Sequence, residues 1–453
     1  MKNLVIVGGS DAGISAALRA RELDLGIVPT VIVADDFPNF SICGLPYYIS
    51  HEVTDWRNLA HRTREDIETA GIRLMLCCTA TSVDTMTKQV TALNASGTAT
   101  RLDYDKLVIG TGALSQRPRM AGLDNPGVFL LRTLPDSFAI EEFLSRRAPK
   151  KAVIVGGGYI GMEMCEALSV RGIKVTVVEY TESVMTSIDA DFSRRIEDTL
   201  TVHGVTVCTG IGIESIETKG DALIVEGSDG FGLLADMVLV AVGSVPNTDL
   251  GRSIGIETGV KGAFKVNHRM ETNIPDVYAA GDCAETRHRI LQKNTYIPLG
   301  TVAHKQGRIA GENALGASAE FDGTLGTQSV KIFDKVVART GLNEKEARDA
   351  GFSPATADFE TWDHKVYYPP AQKLYIRVTA DRTTGRLLGA QMIGAHGTEV
   401  SKRIDIFAAA LFHGATMKEF LRYDLSYTPP LSSPWDPVQM AVQHLERVLS
   451  VGG

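Results

Sequence analysis

The stretch KNLVIVGGSDAGISAALRA, residues 2–20, has a counterpart at residues 150–168, KKAVIVGGGYIGMEMCEAL. Each runs from an apolar segment through a glycine turn into small, helix-compatible residues. Each is followed by a second apolar segment ending in acid: TVIVADD with Asp35 and Asp36, and KVTVVEY with Glu179. Strand, glycine turn, helix and strand form the unit that holds a dinucleotide. The first glycine allows a tight turn, the second lets a phosphate approach the backbone, and the third lets helix and strand pack closely. The pyrophosphate sits where helix amides point outward and the dipole is positive. The acid takes ribose hydroxyls. The second copy is complete, with Gly156, Gly158, Gly161 and Glu179. The first keeps Gly8 and Gly13 but places Ser10 in the middle, so Gly9 is expected to provide the close approach. One such motif is weak; two, about 150 residues apart and each with its acid, are strong.

The 453 residues carry a net charge of -8, with 44% hydrophobic and 22% charged side chains. Such a chain forms a soluble globular protein of two or three domains. An acidic chain without a basic stripe argues against nucleic acid as a partner. No apolar run is long enough to cross a bilayer, and no secretory leader is present, so a cytoplasmic protein is expected. The six cysteines are Cys43, Cys77, Cys78, Cys165, Cys208 and Cys283, without a CxxC pair. Neither a metal site nor a two-cysteine redox motif is expected from that spacing.

Between the units, YDKLVIGTGA (104–113) ends a strand at Thr111 and Gly112. Later, ADMVLVAVGSVPNTDL carries Gly243, and DVYAAGDCAE carries Gly281 and Asp282. PLGTVAHKQGRIAGENALG predicts a helix. Beyond about residue 325, VKIFDKVVARTGL, KLYIRVTAD and RLLGAQMIG read as antiparallel strands.

These motifs resemble the two-dinucleotide flavoprotein reductases over essentially the whole chain. CGLPYYI (43–49), VARTGLNEKEA and SYTPPLSSPWDP are similar to the single-cysteine branch of coenzyme A disulfide reductases, persulfide reductases, NADH oxidases and NADH peroxidases. The resemblance implies an α/β fold with two Rossmann-like three-layer dinucleotide-binding domains and a C-terminal α+β dimerisation domain. Residues 1–115 with 246–322 are expected to bind FAD, 116–245 NAD(P)H, and 323–453 to form a homodimer. It assigns FAD contacts to Gly8, Gly9, Ser10, Asp11, Ala12, Gly13, Asp35, Asp36, Ser41, Thr111, Gly112, Arg132, Gly281, Asp282, Gly300 and Thr301. It assigns the nicotinamide nucleotide to Gly156, Gly158, Tyr159, Ile160, Gly161, Glu163, Glu179 and Gly243. YTESV, after Glu179, has no cation for a 2′-phosphate, which favours NADH over NADPH.

In this branch the lone cysteine faces the flavin and relays electron pairs. Cys43 has no partner cysteine nearby, so the other half of its redox couple is external: a substrate thiol, a persulfide sulfur or an oxygen. Pro46 suits a first helical turn, which is expected to place Cys43 before a helix N-terminus and favour thiolate. Where the oxidases and peroxidases carry histidine, this chain has Asp11, which favours a low-molecular-weight disulfide or persulfide as acceptor. The resemblance implies that Tyr427 and Tyr368 reach the active site of the partner subunit as proton donors, with Tyr367 an ordinary interface residue. His304, in AHKQGR, is either a catalytic acid or a structural donor replacing asparagine. Arg19, Arg308 and Trp435 are read as substrate contacts. Three departures weaken coenzyme A itself as substrate: Ile42 for asparagine, Glu22 for arginine, and His304 for asparagine. His51, His61 and His203 are read as structural or solvated. The alternatives are an NADH oxidase or peroxidase, and a flavin-based redox sensor.

Overall fold

The computed structural model describes residues 3–451; Met1, Lys2, Gly452 and Gly453, at the ends of the domains read from the sequence, lie outside the described residues. Strands buried on both faces must be apolar throughout. Leu4–Val7 meets that condition at every residue, and Lys151–Val155 at every residue but the first. Each becomes the centre of a five-stranded parallel sheet. The first sheet runs in the order Val277–Ala279, Lys106–Ile109, Leu4–Val7, Thr30–Ile32, Arg73–Met75, with Val5 opposite both Thr30 and Leu107. The second runs Thr206–Cys208, Lys174–Val178, Lys151–Val155, Met237–Val240, Val128–Phe129. The chain leaves the first unit and returns to it through an antiparallel ribbon that pairs Ala113–Ser115 with Ser244–Pro246.

Four helices position the site: α1 (Asp11–Leu23), α2 (Leu45–Ile49), α3 (Tyr159–Val170) and α4 (Gly300–Ala314). α1 and α4 lie in direct backbone contact. A Cβ on Gly307 falls 2.1 Å from the carbonyl oxygen of Ala12, and one on Gly311 falls 2.2 Å from that of Ala16. Two glycines four residues apart present one bare face, which is what lets the helices approach.

The C-terminal sheet is antiparallel, in the order Gln328–Ile332, Lys335–Gly341, Leu387–Ala395, Lys373–Asp381, Pro354–Trp362. Charged groups tie it to the second dinucleotide unit. Arg377, 11% exposed, meets Asp189 at 2.9 Å, Asp191 at 2.5 Å and Asp358 at 2.6 Å. A cation so withdrawn from water is tolerable because carboxylates replace its hydration. The Glu166 carboxylate, on α3, pairs with Lys331 and accepts the Phe333 amide at 2.7 Å. The helix that follows the second glycine turn is therefore anchored to the C-terminal sheet. Among the described residues, no helix is long and apolar enough to cross a membrane.

Candidate functional site

Gly8 and Gly156 occupy equivalent places in the two turns, at φ +117° and +109°. Both lie in the region that disfavours side chains. A Cβ on Gly8 meets the Gly110 oxygen at 2.0 Å; one on Gly13 meets the Gly8 oxygen at 1.9 Å, and one on Gly161 the Gly156 oxygen at 2.1 Å. First and third glycines thus hold strand and helix together. The middle positions differ. A Cβ on Gly158 meets nothing within 4 Å, so the fold itself accepts Ser10 at the matching place. Gly9 also makes room for Val33, whose methyl groups lie 2.6 and 2.7 Å from a Cβ. Packing on that side chain is a second reason for glycine here, beside the ligand approach expected from the sequence.

The arrangement fits the dinucleotides the sequence implies. α1 and α3 begin at Ser10 and Gly158 without a side-chain cap, leaving first-turn amides free for phosphate oxygens. Gly281, at φ +82°, comes so close to Ala12 that a Cβ would lie 2.8 Å from its methyl. Thr111 donates its hydroxyl to the Asn247 carbonyl at 2.6 Å, and Gly112 beside it has φ +67°. Arg132 pairs with Asp282 at 2.5 Å. Asp35 accepts the Phe37 amide at 2.9 Å, while burial pushes its carboxyl above the usual range; Asp36 and Thr301 are exposed. Asn39, 1% exposed, holds the Gly9 oxygen through its own amide at 2.7 Å, yet neither end of its side chain has a partner. Reading the sequence did not single out Asn39; the PN pair in DDFPNFS was its only signal. In the second unit, Glu179 accepts the Gly157 amide at 2.6 Å and the Thr181 amide at 2.8 Å. Ser187 reaches the Tyr159 hydroxyl at 3.4 Å; Ile160 follows on the same helix, and Gly243, at φ +112°, lies between Met237–Val240 and Ser244–Pro246.

Cys43 opens into the cleft from a short 3₁₀ turn, Ile42–Gly44, which Ser41 precedes. α2 begins only at Leu45, with Pro46 in its first turn, and has five residues. The helix start that was expected to favour a thiolate is opposed by other groups. The surrounding protein pushes the thiol up, with burial the main cause, Glu163 and Asp11 adding to it, and Arg132 opposing.

Glu163 is itself pushed up to about 7, by burial foremost and also by Glu166, against a hydrogen bond to Tyr47 and the charge of Lys331. Tyr47 lies on α2 and Glu163 on α3, so this contact joins the cysteine segment to the nucleotide helix. Above pH 7 the Glu163 carboxylate raises the cost of ionising Cys43. Glu163→Gln is therefore expected to speed iodoacetamide alkylation of Cys43 above pH 7, with the two rates converging below it. Equal rates throughout would show that Glu163 does not act on the thiol.

Asp11 lies under α4. Its Oδ1 stands 3.3 Å from His304 Nε2 and 3.9 Å from His61 Nε2, and its Oδ2 lies 3.4 Å from where a Gly300 Cβ would be. Ser15 holds His304 Nδ1 at 2.9 Å. His61 is thus not merely solvated, as the sequence suggested. His51 pairs with Glu141 at 3.0 Å, and His203 stacks on Phe333 at 4.1 Å, as structural residues do.

Arg19 and Arg308, read from the sequence as substrate contacts, are both ion-paired. Arg19 meets Glu312 at 2.7 Å and Glu22 at 3.0 Å; Arg308 meets Glu22 at 3.0 Å. Glu22 bridges both guanidinia, so an anionic substrate would compete with that carboxylate for them. In the C-terminal domain, Tyr367, Tyr368, Tyr427 and Trp435 are exposed, at 71%, 47%, 44% and 49%. The loop around Lys365 bonds to Pro429, and the Tyr367 and Tyr427 hydroxyls are hydrogen-bonded. Tyr367 meets Tyr427, and the Tyr368 ring lies 6.0 Å from that of His364.

Residues 2–307 match the family described as pyridine nucleotide-disulphide oxidoreductase, and residues 327–437 match the dimerisation domain of that family. A protein of Pyrococcus abyssi named NAD(P)H sulfur oxidoreductase (CoA-dependent) is 36% identical over 450 residues, covering 99% of this chain and 98% of its own. A coenzyme A disulfide reductase of Staphylococcus haemolyticus is 30% identical over 443 residues, covering 97% and 98%. The solved NAD-dependent persulfide reductase of A. fulgidus superposes with a TM-score of 0.95 at 33% identity, covering 99% of this chain and 84% of that one.

Proposed function

The chain belongs to the pyridine nucleotide-disulphide oxidoreductase family, and from that premise we propose that it passes electron pairs from NADH or NADPH, through FAD and Cys43, to a low-molecular-weight disulfide or persulfide. The observation that carries the acceptor side is the isolation of Cys43. All six cysteines are free; Cys165 and Cys283 are buried, Cys43 and Cys77 are exposed, and Cys43 has Glu163 of the second dinucleotide unit and Asp11 and Asp282 of the first around it. The second sulfur must come from solution.

FAD, when bound, supplies the two-electron carrier between nicotinamide hydride and sulfur. The first turn, with Gly8, Gly13, Gly281 and Asp282, would hold it; Gly156, Gly161, Tyr159 and Glu179 would hold the nicotinamide nucleotide. An acid at Glu179 receives ribose hydroxyls and repels a 2′-phosphate, which favours NADH. The Cys43 thiolate attacks one sulfur of R–S–S–R. The Cys43–S–S–R bond forms, the substrate bond breaks, and RS⁻ leaves to take a proton. Two electrons then cleave the mixed disulfide, releasing the second RS⁻ and restoring the Cys43 thiolate. The sum is NADH + H⁺ + RSSR → NAD⁺ + 2 RSH. For a persulfide the leaving sulfur departs as hydrosulfide.

The chain carries the family's dimerisation domain, and the exposed Tyr368, Tyr427 and Trp435 are proposed to complete the cleft of a second copy, where a phenol can protonate the leaving thiolate. A cytoplasmic setting, where free thiols persist, agrees with six unpaired cysteines. Steady-state NADH oxidation by the flavin-loaded protein tests the reading. A coenzyme A disulfide, a small apolar disulfide and a persulfide are compared with oxygen and peroxide. Turnover is expected to depend on one of the sulfur acceptors and to be slow with oxygen or peroxide. Fast turnover with oxygen or peroxide alone would overturn it.

A further inference from the structure

Asp11, His61 and His304 are 50 and 243 residues apart in sequence, and no spacing rule would have joined them. The fold brings one carboxylate oxygen and two imidazole nitrogens within 4.8 Å of one another. We propose that these three side chains form a binding site for one borderline divalent transition ion, such as Zn²⁺, with a fourth position left to water or a small anion.

The donor set suits that class of ion. Zinc takes imidazole nitrogen and carboxylate oxygen at about 2.0–2.1 Å, and tetrahedral ligands at that range stand about 3.3 Å apart. Asp11 Oδ1 and His304 Nε2 already stand 3.3 Å apart. His61 Nε2, at 3.9 Å from the same oxygen, lies on a side chain 43% exposed and closes the remaining gap by rotation. Its backbone does not need to move: the His61 amide is held by the Asn39 carbonyl at 2.9 Å, and the adjoining strand positions Phe40 and Ala60 are bridged.

A second observation is the state of the carboxylate. Asp11 Oδ1 is buried and makes no well-formed hydrogen bond, although two imidazole nitrogens face it; a cation between them would take its lone pairs. A third is the surrounding shell. Ser15 Oγ fixes His304 Nδ1 at 2.9 Å, leaving Nε2 to face Asp11. Histidine ligands are commonly held in this way through their other nitrogen. Three protein ligands with an open fourth position is the pattern of reactive rather than closed structural sites. The site shares Asp11 with the surroundings of Cys43, so its test reads bound zinc rather than turnover.

The test uses the flavin-loaded protein, stripped with chelator and dialysed against micromolar ZnCl₂. Elemental analysis is expected to find one zinc per chain, and X-ray absorption at the zinc edge is expected to show nitrogen and oxygen neighbours without sulfur. His61→Ala, on an exposed side chain, is expected to abolish stoichiometric binding. Ser15→Ala, which keeps all three ligands, is expected to weaken it about tenfold, and Cys43→Ser and Cys77→Ser are expected to leave it intact. Substoichiometric zinc in the wild type, sulfur in the coordination shell, or equal binding by His61→Ala and Ser15→Ala would each overturn the proposal.

Discussion

Cys43→Ser is expected to load flavin normally and to lose turnover with its sulfur acceptor by on the order of 10³-fold or more, because the nucleophile itself is removed. The fold gives no reason for a folding defect: the Cys43 side chain opens to the cleft and makes no hydrogen bond that the turn requires. The two segments flanking it are fixed independently, by the Ser41 amide on the Leu59 carbonyl at 2.8 Å and by buried Leu45 and Ile49. Serine has nearly the same size but cannot form a reducible bond to the acceptor. Two other thiols are enclosed: Cys165 lies inside α3, and Cys283 donates to carbonyls beneath the first sheet. Cys77 is exposed, so Cys77→Ser is the control: it should keep the turnover that Cys43→Ser loses.

Gly307→Val is expected to show the second large effect, on stability and flavin content. Alanine at a helical glycine normally gains about 1 kcal/mol in propensity. Here steric conflict wins, since even a Cβ would lie 2.1 Å from a backbone oxygen of α1. Neither helix can yield without shifting the glycine turn that α1 begins. Overpacking of this kind costs about 1–3 kcal/mol or more, and valine adds a β-branch. Flavin-to-protein absorbance ratio and melting temperature should both fall. Gly158→Ala is the contrast: φ is -81° and a Cβ meets nothing within 4 Å, so melting should be unchanged while NADH binding weakens. A Gly307→Val protein with full flavin and normal melting would contradict the role given to helix contact.

Much of this architecture was legible in the chain. Apolar strands, glycine turns and terminal acids are local features, and LVIV, AVIV and their glycines carry their own reasons. The lone cysteine, too, was readable as needing an outside partner. What was not readable depends on residues distant in sequence. Ser10 looked like a defect, yet the open space at Gly158 shows that the fold makes no demand there. The packing of Gly9 on Val33, 24 positions on, was not readable. Nor were the ion pairs of Arg19 and Arg308, because Glu312 and the bridging geometry of Glu22 appear only when α1 and α4 are laid together. His61 looked incidental until the fold put it beside Asp11. The same limit applies to Cys43: Pro46 correctly placed a helix start, but the carboxylates of Glu163 and Asp11, which oppose ionisation, come from other segments.

The most direct measurement of the central claim is a single anaerobic turnover. Wild-type protein is first oxidised with a low-molecular-weight disulfide and freed of excess, then mixed with NADH, and released thiol is counted. One thiol per chain is predicted from the wild type, from the Cys43 mixed disulfide, and none from Cys43→Ser. Equal release from both proteins would mean that the substrate sulfur is never held on Cys43.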